Sequence, residues 1–493
     1  MAQAHPPPAS SDQRATRTLP ALGAGAMVFA TSAAVLVLEI LAGRLLAPYV
    51  GVSLETYTGI IGTVLAGIAI GSATGGRLAD RVDPLTLLGP TIVAGGALAL
   101  ASVPVVTWLG PAVAGGGPPA IVLLALTAFV LPTAVLSAVS PMAAKLRLAS
   151  TAETGSVVGG LSAAGTAGAL VGTFVTGFVL VAALPTRPIV LGLGLALVAL
   201  GATLWVRFGS RRPGPAAAAA VLLTAGLAST SSSPCQRETA YYCATIEVDA
   251  DRPTGRVLVL DDLRHSYVDL EDPTYLEFRY AQLFGGVIDS VLGDAPIDAL
   301  HIGGGGFTFP RWLAATRPGS TSTVLELDPE ILRLAEEELA LQPGPDLRVR
   351  TGDARTNIAE ERTGAYDLVI GDAFGGLSVP WHLTTTELVA EVARTLGPDG
   401  VYLVNAIDGG PRDFVRSELA TFAEHFAHVA VITPPGSPFG NHVLVGSDAP
   451  IDLGPVDPAD GTPLTGDELD RFVGGAEALT DDRAPVDQLI TRR

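Results

Sequence analysis

The chain has 493 residues and a formal net charge of −19, which is unevenly divided between its two halves. Residues 1–230 carry 11 Lys or Arg and 6 Asp or Glu, whereas residues 231–493 carry 19 and 43. This length excludes one ordinary domain, and the acidic second half argues against nucleic acid as a partner because phosphates would be repelled. An acidic surface would suit a cationic small molecule, although such surfaces often only keep a protein soluble.

The first half predicts an all-α polytopic membrane bundle over residues 21–230, after a cytoplasmic tail over residues 1–20. A membrane span needs about 20 predominantly apolar residues. Such runs predict spans at 22–43, 56–76, 86–109, 119–141, 155–183 and 187–207, with a weaker seventh at 215–229. The lipid bilayer is therefore an expected partner and the cell membrane the expected location.

The orientation of these spans is predicted from the basic residues that flank them. The N-terminal tail and the loops after spans two, four and six contain Arg14, Arg17, Arg77, Arg81, Lys145, Arg147, Arg207, Arg211 and Arg212. The other loops hold only Arg44 and Arg187. Because short cytoplasmic loops are enriched in Lys and Arg, the N-terminus is predicted to be cytoplasmic. The side of residues 231–493 stays open: it is outside if 215–229 spans, and inside if that segment lies on the surface.

The only two cysteines, Cys235 and Cys243, follow this short apolar segment closely. Two cysteines in one short stretch, with none elsewhere, suggest a disulfide and an oxidising compartment. Two unpaired thiols are the alternative, and the sequence does not decide between them.

The second half predicts an α/β domain. Residues 245–270 alternate between apolar and polar, which predicts a small β-hairpin subdomain within 231–295. Over 296–450 strands and helices alternate, as in a doubly wound, mostly parallel sheet. Strands are predicted at 298–303, 322–327, 347–351, 366–371, 400–405, 428–433 and 441–446, and helices at 308–316, 329–341, 354–361, 383–396 and 411–426. Residues 451–493 are expected to form an irregular, solvated acidic tail.

Four successive predicted strands end in residues suited to a nucleoside. These are the glycine run with Gly303, Gly304 and Gly305, then Glu326 with Asp328, then Asp353 with Ala354, then Asp372. Glycines let a ligand approach the backbone N–H groups, and Glu326 can accept hydrogen bonds from both ribose hydroxyls. Asp353 is placed to meet an adenine amino group. The alternative is that these acids cap the following helices.

The ligand expected at these strand ends lacks a phosphate chain. The second half contains no lysine and no phosphate-binding loop pattern. S-adenosylmethionine, or its decarboxylated form, fits that description.

Several motifs resemble those of the spermidine synthase (aminopropyltransferase) family. They are "LDDLRHSYVDLEDPTYLEFRYAQL", "HIGGGG" with "VLELD", "GDAR", and "YDLVIGDAFGGLSVPWHLTTTEL". With "LEILAGRLLAPYVGVSLETY" and "GGRLADR", the chain resembles bacterial proteins in which a membrane domain is fused to such an enzyme. "GGRLADR" also resembles a loop of major facilitator transporters. The likeness implies a Rossmann-like fold of the S-adenosylmethionine-dependent methyltransferase type.

The resemblance implies roles for individual residues. Asp372 would be the catalytic carboxylate, Glu277, Tyr280 and His265 would contact a cationic amine, and decarboxylated S-adenosylmethionine would be the co-substrate. No metal is expected, and a homodimer is possible. The family's second aspartate on the fourth strand is replaced by Gly375, and Gly306 and Phe307 depart from its first loop.

Two other functions remain open at this point. A methyltransferase would use the same nucleoside site with another acceptor. A non-catalytic membrane sensor or transporter would bind a polyamine or nucleoside without chemistry. Gly375 stands where the family has its second aspartate, so the sequence leaves open whether the domain is catalytically active.

Overall fold

The structure is a computed structural model that describes residues 20–148, 154–209, 212–373, 379–436 and 439–490. The chain forms two compact units. The helical unit takes its described residues from Met1–Val50 and Leu54–Ser233, and the C-terminal unit takes its own from Gly51–Ser53 and Pro234–Arg493. Arg14, Arg17 and Arg211, which entered the predicted orientation, lie outside the described residues.

The helical unit consists of nine α-helices among its described residues. They are α1 (Ala21–Val50), α2 (Leu54–Arg81), α3 (Pro84–Val113), α4 (Gly117–Ser137), α5 (Val139–Arg147), α6 (Thr154–Val175), α7 (Val181–Ala183), α8 (Thr186–Phe208) and α9 (Pro215–Thr230). A π-helical turn over Thr176–Leu180 joins α6 to α7. With α4–α5 and α6–α7 each taken as one helix, six are long and apolar enough to cross a membrane, and α9 is a shorter apolar helix.

Glycines bring the long helices of this unit close together. A Cβ atom added at Gly71 of α2 would lie 2.0 Å from the carbonyl oxygen of Ala134 in α4. A Cβ atom at Gly168 of α6 would lie 2.2 Å from the carbonyl oxygen of Phe29 in α1. Without a hydrophobic drive between helices in lipid, such close packing of small residues is a main source of helix association.

The C-terminal unit begins with a four-stranded antiparallel sheet in the order β1-β2-β3-β4. Its strands are β1 (Arg237–Glu238), β2 (Cys243–Val248), β3 (Gly255–Leu260) and β4 (Leu263–Asp269). Cys235, just before β1, forms a disulfide with Cys243, the first residue of β2. Apolar side chains of β2, β3 and β4 pack with Phe307 and with the helix Pro329–Glu338.

An eight-stranded mixed sheet follows, in the order β12-β10-β11-β9-β8-β5-β6-β7. Its strands are β5 (Asp298–Ile302), β6 (Thr321–Glu326), β7 (Leu347–Thr351), β8 (Tyr366–Gly371), β9 (Leu396–Gly409), β10 (His428–Thr433), β11 (Phe439–Ser447) and β12 (Thr462–Leu464). The five strands β5 to β9 pair in parallel. β11 pairs antiparallel with both β9 and β10, and β10 pairs antiparallel with β12. The sheet is therefore mixed, because the five residues between β10 and β11 are too few for the crossover that parallel strands need.

Helices cover both faces of this sheet. They are α10 (Arg279–Leu292), α11 (Thr308–Thr316), α12 (Pro329–Glu338), α13 (Ala354–Ile358), α14 (Thr386–Thr395), α15 (Asp413–Ala423), α16 (Gly466–Val473) and α17 (Val486–Leu489). Side chains alternate along each strand: Val369 packs with α14 and α15, whereas Leu368 and Ile370 pack with α10 and α11. Burial of both faces explains why these strands read as nearly continuous apolar runs.

The last forty residues differ from the irregular tail that was expected. β12 pairs with β10, and Leu469 of α16 is buried in the core beside α15. Leu479 and Val486 are buried in the same core. These short elements were not recognised in the sequence, because they contain few apolar residues and acidic residues occupy their exposed side.

Candidate functional site

Four parallel strands, β5, β6, β7 and β8, bring their carboxyl ends to one edge of the sheet. Gly303 follows β5, Glu326 ends β6, Asp353 follows β7, and Asp372 follows β8. In wound sheets of this type, ligands bind beyond this edge.

The glycine loop after β5 has a backbone that side chains would not allow. Gly303 and Gly305 have φ angles of +95° and +50°. A Cβ atom at Gly303 would also lie 2.5 Å from the carbonyl oxygen of Asp372. The loop therefore touches the end of β8 directly, and only glycine fits at this contact.

Glu326 is held by the same loop and is 7% exposed. One of its carboxylate oxygens accepts hydrogen bonds from the N–H groups of Gly304 (2.8 Å) and Gly305 (3.2 Å). The other accepts from the N–H of Asp328 at 2.9 Å. Burial raises the pKa of Glu326, although these donors act in the opposite direction. The carboxylate thus lies at the loop, among hydrogen-bond donors.

Asp328 and Asp353 act as helix caps in the structure. The carboxylate of Asp328 accepts from the N–H of Glu330 at the start of α12, and that of Asp353 accepts from the N–H of Arg355 at the start of α13. Ala354, next to Asp353, is buried in the core. The His382 ring nitrogen Nε2 lies 3.5 Å from the Asp353 carboxylate. Capping is thus the visible role of both acids, and Asp353 keeps its exposed carboxylate at the edge of the sheet.

Asp372 is partly buried and receives two side-chain hydrogen bonds. Tyr280, in the first turn of α10, donates its phenolic O–H to Oδ2 at 2.9 Å. Asn405 of β9 donates from Nδ2 to Oδ1 at 2.9 Å. Burial raises the pKa of the Asp372 carboxyl, while the two donors oppose that rise. A buried, oriented carboxylate with a raised pKa is the kind of group that accepts a proton in catalysis.

A relay of two asparagines fixes the orientation of the Asn405 amide. Asn441 of β11 donates to the Oδ1 atom of Asn405 at 2.8 Å, which leaves the Asn405 NH₂ group to face Asp372. Sequence reasoning missed both asparagines. The available signal was a polar Asn405 within the buried run "VYLVNAI", where a polar side chain needs a partner.

Two aromatic rings pack against the ring of Tyr280. Its ring stacks on Phe278 with centroids 6.0 Å apart, and meets Phe284 edge-on at 5.8 Å. Burial and the neighbouring Asp372 raise the pKa of Tyr280, so the phenol stays a hydrogen-bond donor.

Glu277 and His265 lie nearby. Glu277 accepts a hydrogen bond from the Tyr275 hydroxyl at 2.6 Å and lies 3.9 Å from the Arg264 guanidinium. Burial lowers the pKa of His265 to about 4, so this ring is neutral at ordinary pH. His265 and Tyr280 line both cavities beside Asp372, whereas Glu277 lines only the smaller one.

Two cavities meet at Asp372. The smaller, of about 60 Å³, is lined by the glycine loop, Ser266 and His301. The larger, of about 580 Å³, is lined by Asn405, Asn441 and Phe439. Asp372, Tyr280, His265 and Phe278 line both. The larger volume falls within the usual range of about 300–1,000 Å³ for small-molecule sites.

Part of the predicted site lies outside the residues that the structure describes. Phe374, Gly375 and Gly376, where the sequence departs from the spermidine synthase motif, are outside the described residues. Among the residues described, no group of three His, Cys, Asp or Glu side chains is arranged to hold a metal ion.

Comparison with known proteins gives mainly polyamine aminopropyltransferases, with an eEF1A lysine and N-terminal methyltransferase of Danio rerio, 27% identical over 123 residues, also among the matches. No protein-family model matches the chain. It is 39% identical over 114 residues to a polyamine aminopropyltransferase of Vibrio vulnificus, covering 22% of this chain and 38% of that protein. It is 28% identical over 179 residues to a polyamine aminopropyltransferase of Chromobacterium violaceum, covering 36% and 66%. The matches thus span less than two thirds of the length of these relatives.

One similar solved structure is the following. A probable spermidine synthase from Corynebacterium glutamicum is 30% identical, with a TM-score of 0.45, over 49% of this chain and 94% of that one. The sequence similarities, taken with the α/β unit described above, show that this chain is homologous to the polyamine aminopropyltransferases.

Proposed function

We propose that the chain is a membrane-anchored aminopropyltransferase that uses decarboxylated S-adenosylmethionine. The observation that carries this proposal is the Asp372 carboxylate, held by Tyr280 and Asn405 where the two cavities meet. Homology to polyamine aminopropyltransferases supports the reaction class. The helical unit, with six helices long enough to span, supports anchoring.

The smaller cavity is the proposed nucleoside side. Its glycine loop offers N–H groups, and Glu326 offers a carboxylate for the two ribose hydroxyls. An adenosine needs more room than the present cleft of about 60 Å³. Glu326 lies behind the glycine loop and does not line this cleft, so ribose binding requires its oxygen to exchange the N–H groups of Gly304 and Gly305 for the hydroxyls.

The larger cavity is the proposed amine side. Aromatic faces at Phe278 and Tyr280 suit a cationic amine, and Asp372 faces the same space. His265 lines both cavities, whereas Glu277 lines only the nucleoside side. Arg264 and Arg279 also line the larger cavity, so its wall is not uniformly acidic.

The reaction needs an unprotonated amine. In solution an alkyl amine is a cation, with a pKa near that of lysine, about 10.4. Asp372 accepts a proton from the amine, and the nitrogen lone pair then attacks the methylene carbon beside the sulfonium. The new C–N bond forms as the C–S bond breaks, and its electron pair leaves on sulfur to give the neutral thioether methylthioadenosine. Holding both substrates in line supplies much of the acceleration.

The identity of the amine is a finer part of the proposal. Gly375 replaces the family's second aspartate, which helps to hold a diamine. We therefore expect the acceptor to be held mainly through Asp372 and the aromatic rings. The likeness of the "GGRLADR" loop to a loop of major facilitator transporters remains a prediction.

The test uses the purified full chain in detergent or lipid discs. Decarboxylated S-adenosylmethionine and a diamine are supplied, and methylthioadenosine is measured. We expect release that depends on both substrates and is lost in Asp372→Asn but kept in Asp399→Asn, an exposed carboxylate on β9. Release of S-adenosylhomocysteine from S-adenosylmethionine would instead establish a methyltransferase. No product, together with no binding of methylthioadenosine, contradicts the proposal.

A further inference from the structure

Basic residues mark one end of the helical unit. The Lys145 ammonium at the end of α5 lies 2.8 Å from the Asp80 carboxylate at the end of α2, so these two helix ends share a face. A Cβ atom at Gly89, near the start of α3, would lie 2.4 Å from the backbone nitrogen of Trp205. The end of α8 is therefore on that face too. The described basic residues there are Arg77, Arg81, Lys145, Arg147, Arg207 and Arg212.

The opposite end of the unit has few basic residues. There the end of α3 meets the end of α1, since a Cβ atom at Gly110 would lie 2.5 Å from the Tyr49 ring. Arg44 and Arg187 are the described basic residues toward this end. By the enrichment of Lys and Arg in short cytoplasmic loops, the Lys145 end is cytoplasmic and the Arg187 end is not.

Helix α9 returns from the first end to the second. It begins at Pro215, three residues after Arg212. At its other end, the Arg187 guanidinium donates hydrogen bonds to the backbone carbonyls of Ser231 and Ser232, which follow α9 directly. Arg187 is in the first turn of α8. The chain thus leaves α9 level with the start of α8, after running antiparallel to it.

The length of α9 is compatible with this crossing. Its 16 residues extend about 24 Å, against a hydrocarbon core of about 30 Å. Six more residues connect it to α8, and serines continue the chain beyond its end, so polar backbone at both ends can lie in the interfacial layers. Arg187 gives hydrogen-bond partners to two backbone carbonyls directly after the last residue of α9.

The disulfide is an independent observation. Cys235 and Cys243 are bridged, and Cys235 is only a few residues beyond α9. Disulfides form and persist mainly outside the cytoplasm. Both lines of reasoning place the start of the C-terminal unit on the same side.

We propose that α9 is a seventh membrane span and that the C-terminal unit lies on the extracytoplasmic side, with its candidate site open to solutes there. The topology stands without the proposed function; only the nature of those solutes rests on it. The acceptor amine would be taken from outside the cytoplasm. The sulfonium nucleoside carries a fixed charge, so a transport step across the membrane must supply it.

The experiment labels single thiols in intact cells with a membrane-impermeant maleimide. Both native cysteines are replaced by serine, and one thiol is introduced by Asp251→Cys, in the exposed turn between β2 and β3, or by Val82→Cys, in the loop between α2 and α3. We expect labelling at position 251 in intact cells, and at position 82 only after permeabilisation. Labelling at 251 only after permeabilisation overturns the proposal.

A second measurement uses the unsubstituted chain, in case removal of the disulfide impairs folding. Cells are treated with an impermeant reductant and then with a maleimide that shifts mobility on a gel. We expect no labelling before reduction and two labels per chain afterwards, without permeabilisation. Two reactive thiols without any reductant overturn the proposal. Neither measurement reads enzyme activity, so the failure of the proposed function is detected separately.

Discussion

Replacing Asp372 with asparagine separates chemistry from structure at the candidate site. The asparagine side chain has nearly the same shape as that of aspartate. Its carbonyl oxygen can accept from the Asn405 amide, and its NH₂ group can donate to the Tyr280 hydroxyl, which is a donor in the native protein. Both hydrogen bonds thus have a counterpart in the variant, and only the negative charge and the basic oxygen are lost.

The expected loss of activity is large and the expected loss of stability is nil. A positioned general base contributes typically 10²–10⁴-fold, which is about 2.7–5.5 kcal/mol of the barrier. Burial raises the folded-state pKa of Asp372 above its unfolded value of about 3.9. The native fold therefore loses stability as pH rises from that value through the folded-state pKa. Asparagine does not titrate, so Asp372→Asn should match the native melting temperature at low pH and exceed it at neutral pH.

The assay measures methylthioadenosine release and thermal unfolding of the same full-length preparation between about pH 4 and pH 8. Asp399→Asn serves as the matched control, because this carboxylate is exposed and lines neither cavity. Activity of Asp372→Asn within tenfold of the native value would refute the role of the carboxylate. A variant that melts well below the native protein at every pH would refute the claim that its hydrogen bonds are preserved.

Three further predictions concern other residues. Tyr280→Phe removes a donor that lowers the pKa of Asp372, so the acid limb of the pH–activity profile should move to higher pH, with kcat/KM about tenfold lower; an unmoved limb contradicts this. Glu326→Gln should weaken methylthioadenosine binding by about 10–100-fold in calorimetry and leave the amine KM unchanged, because the ribose loses a charged acceptor. Gly71→Val should destabilise the helical unit by about 1–3 kcal/mol or more in detergent melts. Gly62→Val, on the same helix with open space around it, should not, and equal effects would refute the packing argument.

The strand and helix pattern was largely predictable, because apolar runs in a two-sided sheet are easy to recognise. The helix predicted at 308–316 and the strands predicted at 347–351 and 366–371 have those bounds in the structure. The sequence predicted a mostly parallel sheet, whereas its last strands are antiparallel. The periodicity of apolar residues predicts that a segment is a strand. The direction of that strand in the sheet depends on the segments that connect it to its neighbours.

The candidate site was only partly predictable. Asp372 and Tyr280 were expected in one site, and the structure brings them within hydrogen-bond distance. Asn405 and Asn441 were not expected, since their pairing depends on the antiparallel register of β9 and β11, which joins distant segments. Asp328 follows a strand end, where an acidic residue is expected either as a ligand contact or as a helix cap. Only its hydrogen bond from the N–H of Glu330, at the start of α12, shows that it is a cap.

The absent side chain at Gly303 has a consequence for substrate range. Because backbone meets backbone where the first loop touches the end of β8, the main chain sets the distance between Gly303 and Asp372. In the proposed reaction, this distance separates the nucleoside side from the proton acceptor. Side chains elsewhere around the larger cavity are free to vary without changing that spacing. Relatives with the same glycine could thus diversify their acceptors while keeping one reaction geometry.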